Sequence, residues 1–100
     1  MIKHVVMWKL RPFAAAGPAE ANAERIKEEL EGLKARIKEI KSIEVGINNK
    51  VSGDSFDIVL IAEFASAEDF DAYLNHPAHK EVSDYISKVR LLRKVVDYEV

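Results

Sequence analysis

Residues Ile2 to Leu10 read Ile-Lys-His-Val-Val-Met-Trp-Lys-Leu. Their alternation predicts a β-strand with His4, Val6, Trp8 and Leu10 on one face and Val5 and Met7 at the centre of the other. A strand that is apolar on both faces at its middle needs cover on both sides. That requirement excludes a simple two-sided fold with one wet sheet face, and every later element is read against it.

From Ala19 to Lys41 the pattern changes to a helical one. Ile26, Leu30, Leu33, Ile37 and Ile40 recur at spacings of four and three, which predicts one long amphipathic helix across this stretch. Its other side is dense in Glu, Lys and Arg and reads as a solvated face with i,i+4 pairs such as Lys27 with Glu31. Before it, Arg11 to Pro18 reads as a loop, with Pro18 suited to a first helical turn.

Ser42 to Asn48 alternates again and predicts a second strand. The turn-rich run 48–55 predicts a hairpin loop, and Phe56 to Phe64 a third strand. Ser66 followed by Glu68 and Asp69 predicts a capped helix. Phe70, Tyr73 and Leu74 form its inner stripe. Pro77 disfavours helix at His76, so the helix is expected to break there and a shorter one to follow. Leu92 to Val100 predicts the last strand.

The order strand, helix, strand, strand, broken helix, strand predicts an α+β, ferredoxin-like arrangement over one domain, residues 1–100. Its four-stranded antiparallel sheet carries helices on one face. The second face then lies open. We expect it to bear Val6, Trp8 and their neighbours and to be covered by a second copy in a twofold homodimer.

Composition narrows the function classes. The formal net charge is −2 with no basic cluster, which argues against a nucleic-acid partner. There is no cysteine, so disulfides, thiolate metal sites and thiol nucleophiles are out. No stretch nears the roughly 18 apolar residues of a membrane span. The N-terminus lacks a leader pattern, so a cytoplasmic chain, read from residue one and with no membrane partner, is expected.

Tyr73-Leu74-Asn75-His76-Pro77-Ala78-His79, the Lys3-His4-Val5-Val6 segment and Val96-Asp97-Tyr98 together resemble the stress-responsive A/B barrel (Dabb) family. The likeness runs through essentially the whole chain. It implies a homodimeric α/β barrel with a pocket and no cofactor. It also implies a candidate site, because one plant relative in the family, an olivetolic acid cyclase, closes a polyketide chain without metal or organic cofactor, although most members have no assigned activity. By that resemblance His4, Tyr73 and His79 are the candidate catalytic residues.

The chemistry of those residues is coherent. A neutral imidazole at His79 suits a base for a carbon acid. The Tyr73 hydroxyl suits a donor to the oxygen that becomes negative. His4 would orient substrate or share the proton. Val6, Trp8 and Leu74 are the expected substrate-binding residues. His76 and Pro77 are read as structural, with the His76 side chain answering the carbonyls of a helix end. A metal set from His76, His79, Glu81 or Asp84 is disfavoured by the proline break. The expected function is binding of a small apolar or carbonyl-containing molecule. A cofactor-free cyclase or isomerase is the first alternative. A cofactor-independent monooxygenase is the second, argued from fold alone.

Overall fold

The computed structural model describes residues 1–100. In chain order its elements are β1 (Ile2–Leu10), β2 (Phe13–Ala14), β3 (Gly17–Pro18), α1 (Ala19–Gly32) and a 3₁₀ turn (Leu33–Ala35). Then come β4 (Ser42–Ile47), β5 (Ile58–Phe64), α2 (Ala67–Asn75), α3 (Pro77–Val89) and β6 (Arg90–Glu99). Four strands form one antiparallel sheet in the order β4-β5-β1-β6. β2 and β3 form a separate two-residue hairpin. This is the ferredoxin-like fold anticipated from the element order.

Strand parity divides the sheet into two faces. Val6, Trp8 and Leu10 of β1 and Ile58, Leu60, Ala62 and Phe64 of β5 are all buried. They form one core with Ile26 and Leu30 of α1, Tyr73 of α2 and Val82, Ile86 and Val89 of α3. Burying each such aliphatic side chain contributes on the order of 2 kcal/mol. The expectation that Val6 and Trp8 lie on the open face is therefore corrected. They are 1% and 4% exposed and face the helices. The open face takes the other parity, where Val5 lies opposite Ile61 and Val96, and Met7 opposite Val59. Met7, Leu92, Val96 and Tyr98 are exposed there, with Lys3, Lys9 and Lys94 on the same parity. No helix is long and apolar enough to cross a membrane.

The long helix is also corrected. α1 ends at Gly32, the chain tightens into the 3₁₀ turn, and Ile37 and Ile40 are buried from the turn that follows. Glycine is a poor helix residue, and i→i+3 closure is a common helix ending. The apolar spacing past Leu33 marks burial and not helix. Likewise β5 starts at Ile58, two residues later than expected. Asp57 is occupied elsewhere: its N–H donates to the Trp8 carbonyl and its carboxylate accepts from the Leu10 N–H at 2.7 Å.

α2 and α3 meet at His76. Ser66 caps α2 by accepting from the Asp69 N–H at 3.1 Å. Pro77 opens α3, a position that needs no N–H donor.

Candidate functional site

His4 sits on β1 directly opposite Asp97 of β6. Its ring is 3% exposed, and Nδ1 lies 2.5 Å from Asp97 Oδ1. A carboxylate at Nδ1 fixes the ring and favours a proton on that nitrogen. Nε2 is then the nitrogen left to act.

α2 lays aromatic rings beside this pair. Phe70 is 4.9 Å from the His4 ring, centroid to centroid, and Tyr73 is 6.2 Å from it. Tyr73 also packs 4.9 Å from Phe64. Its side chain is fully buried, yet its hydroxyl oxygen has no hydrogen-bond partner. Burial holds the phenol well above its ordinary ionisation range, with the nearby Arg93 charge opposing this in part. Tyr73 is therefore a protonated donor with no acceptor among the protein's own groups.

α3 contributes His79, whose ring centroid is 4.4 Å from that of Tyr73. Nδ1 is 3.3 Å from the Leu74 carbonyl oxygen. A carbonyl only accepts, so Nδ1 carries the proton and Nε2 carries the lone pair. Burial, with the smaller influences of His4, Arg93 and His76, pushes the His79 pKa down. That depression favours the neutral ring.

These groups line a cavity of about 330 Å³ between the sheet and the helices. β1 supplies His4, Val6 and Trp8; α1 and β5 supply Leu30 and Leu60; α2 supplies Tyr73. α3 supplies His79, Ser83, Ile86 and Ser87, and β6 supplies Arg90 and Arg93. The volume is at the lower end of ordinary small-molecule sites.

The structure thus brings His4, Tyr73, His79, Val6 and Trp8 to one cavity. Leu74 lies outside its lining and contributes its backbone carbonyl to His79. His76 faces away from the expected carbonyls. Its Nδ1 accepts from the Ala78 N–H at 3.0 Å and caps the start of α3. It is His79 that reaches a carbonyl at the end of α2. With both rings so engaged, no three of His, Asp, Glu or Cys gather in a metal-holding arrangement.

Asp97, Arg90, Arg93, Ser83 and Ser87 were not foreseen as site residues. The alternation of the last strand carried a partial signal. Val96, Tyr98 and Val100 claim one face, which leaves Asp97 and Arg93 on the other.

A four-stranded antiparallel sheet, helices on one face only and a polar-floored cavity between them define a ferredoxin-like α+β protein with an internal small-molecule-sized site. The stress responsive A/B barrel domain model matches residues 2–100, and the chain belongs to that family. No curated protein matches the chain. A dimeric protein of unknown function and ferredoxin-like fold from Bacteroides fragilis is 34% identical, with a TM-score of 0.84, over 99% of this chain and 95% of that one. A dimeric ferredoxin-like protein of unknown function from Thermobifida fusca is 21% identical, with a TM-score of 0.83, over 99% and 90%. A hydroxynitrile lyase from Passiflora edulis is 17% identical, with a TM-score of 0.81, over 97% and 90%, a likeness of fold alone.

Proposed function

We propose that this chain works as a homodimer in which each protomer binds a small carbonyl-containing molecule in the cavity floored by His4, Tyr73 and His79. The observation that carries this reading is the buried, unpartnered Tyr73 hydroxyl. A buried donor without an acceptor costs roughly 1–3 kcal/mol. A ligand oxygen accepting from it recovers that energy, and a carbonyl oxygen is such an acceptor. Val6, Trp8, Leu30 and Leu60 supply apolar wall for the rest of the ligand. The dimer is supported by the exposed apolar stripe of the open face and by the dimeric state of the two solved bacterial relatives.

A second reading, catalysis on the same ligand class, is favoured by the neutral His79 held against Tyr73. His79 Nε2 takes a proton from the carbon next to the carbonyl. Negative charge moves to the carbonyl oxygen, which accepts a hydrogen bond from Tyr73 Oη. The carbanion carbon then takes back a proton, or forms a bond to a second carbonyl carbon whose oxygen takes the proton.

Thermal shift of wild type, Tyr73→Phe and His79→Ala with aromatic and polyketide-like ketones tests binding. Stabilisation of wild type that both variants lose supports the site; no shift in any protein removes it in favour of a structural role. NMR in heavy water tests catalysis. Wild type is expected to exchange the proton next to the ketone, and His79→Ala to leave it in place. Equal exchange in both would leave binding without chemistry.

A further inference from the structure

The far end of the cavity is cationic, and a backbone irregularity makes it so. Lys9 and Leu10 are neighbours on β1, but their partners on β6 are Leu92 and Arg90. Leu91 is the extra residue of a β-bulge. Residues three apart on an unbroken strand point to opposite faces. Across this bulge Arg90 and Arg93 both line the same cavity. Bulges that re-aim a side chain in this way are frequent beside functional sites.

Neither guanidinium is neutralised. The ion pairs of the chain are Lys3–Glu63, His4–Asp97, Arg25–Glu29, Lys27–Glu31, Arg36–Glu81 and Lys88–Asp84, and none uses Arg90 or Arg93. No side-chain hydrogen bond uses them either: the carboxylate nearest in strand order, Asp97, is held by His4. Ser83 and Ser87, from α3, line the same cavity. Two unpaired guanidiniums lining one cavity form a receptor for an oxyanion.

The placement also says which part of a ligand goes where. Tyr73 is fully buried, whereas Arg93 is exposed. Tyr73 is thus the floor and Arg93 the mouth. An anion at the mouth keeps part of its hydration, so binding it there avoids the desolvation cost of a charge at the floor. The Arg93 charge also acts on both Tyr73 and His79.

We propose that Arg93, assisted by Arg90, binds a carboxylate, and that the ligands of this cavity are oxo acids with the ketone at Tyr73 and the carboxylate at the mouth. This inference rests on the carbonyl-binding reading of the same cavity.

Calorimetry with three probes separates the two. The probes are 4-oxo-4-phenylbutanoate, its methyl ester, and 4-phenylbutanoate, which lacks the ketone. Wild type is expected to bind the oxo acid about tenfold or more tightly than the ester. Arg93→Gln, at an exposed position, is expected to lose that margin, so that acid and ester bind within about twofold of one another. Arg93→Lys is expected to recover only part, because a point charge lacks the fork. Equal affinity for acid and ester in wild type overturns the carboxylate site and leaves the carbonyl reading intact. Binding of 4-phenylbutanoate as tight as that of the oxo acid, with oxo-acid binding that falls in Arg93→Gln but not in Tyr73→Phe, keeps the anion site and removes the carbonyl reading. Failure of all three at millimolar concentration overturns both.

Discussion

Replacing Tyr73 by phenylalanine removes one oxygen atom and leaves the ring. The ring's packing against Phe64 at 4.9 Å and His79 at 4.4 Å is retained. In the folded chain that oxygen is buried and has no hydrogen-bond partner in the protein; in the unfolded chain water satisfies it. Removing it relieves the folded state of a desolvation cost of roughly 1–3 kcal/mol. The expected result is a ligand-free variant more stable by about 1 kcal/mol. For a domain of this size that is a rise in Tm of roughly 5 °C. Protein concentration must be matched between the two, because association shifts Tm by mass action.

The same change is expected to abolish stabilisation by ketones. A core tyrosine whose hydroxyl has a structural partner loses stability on this substitution and has no ligand response to lose. A site tyrosine gains stability and loses the response. Alkaline pH supplies a second check. Burial raises the Tyr73 pKa in the folded state, so above the ordinary phenol value of about 10 the unfolded chain binds fewer protons than the folded one. Wild-type stability should then fall as pH rises past that value, and Tyr73→Phe should show less of the fall. A ligand-free variant that melts several degrees below wild type would show that the hydroxyl has a partner in the folded protein, and would refute the reasoning.

His79 gives the acid counterpart. Its folded pKa is depressed, so below about 6.5 the unfolded chain binds more protons and stability falls as pH falls; His79→Gln should flatten that slope in urea titrations. Val96 is 62% exposed on the open face, so Val96→Glu should leave the protomer folded by circular dichroism but shift sedimentation from dimer to monomer; a persisting dimer excludes that face. Ala15 and Ala16 hold the β2–β3 turn at positive φ, 51° and 63°, so Ala15→Asn with Ala16→Gly should raise stability by roughly 1 kcal/mol in chemical denaturation.

The two-sided apolar strand at the N-terminus was legible and led to the correct fold. What it could not say is which side the helices take. Both parities of β1 are apolar at the centre, and a choice between them exchanges every side chain. The decision lies in β5, where Ile58, Leu60, Ala62 and Phe64 run unbroken on one face while Glu63 interrupts the other. Val6 and Trp8 consequently line the cavity and not the open face. The His-Pro-x-His segment was legible as a helix break. The ring that meets the end of α2 is not the expected His76: that residue precedes the new helix and accepts from the Ala78 N–H, while His79 folds back to the carbonyl of Leu74. The His4–Asp97 pair spans 93 residues of sequence and depends on a strand register that no local pattern encodes. Arg90 and Arg93 were hidden by the bulge, because simple alternation assigns them to opposite faces.

Strand parity also ties the proposed dimer to the proposed site. On β1, His4, Val6 and Trp8 serve the cavity, while Val5 and Met7, between them, serve the open face. On β6, Arg93 and Asp97 serve the cavity, while Val96 lies on the open face opposite Val5. The same two neighbouring strands therefore carry both functions on opposite sides. A sheet of this size has a small core, and a cavity lined by imidazoles and guanidiniums takes more apolar contact away from it. Covering the open face with a second copy restores apolar burial without touching the cavity, since no open-face side chain of β1 or β6 lines it. On this view pairing is what allows a domain of 100 residues to keep an unsatisfied hydroxyl and two unpaired cations beside its core. A dimer-breaking change on Val96 should therefore lower the stability of the site's surroundings while leaving every cavity residue in place, and the thermal response to ketones should survive at temperatures where the protomer is still folded.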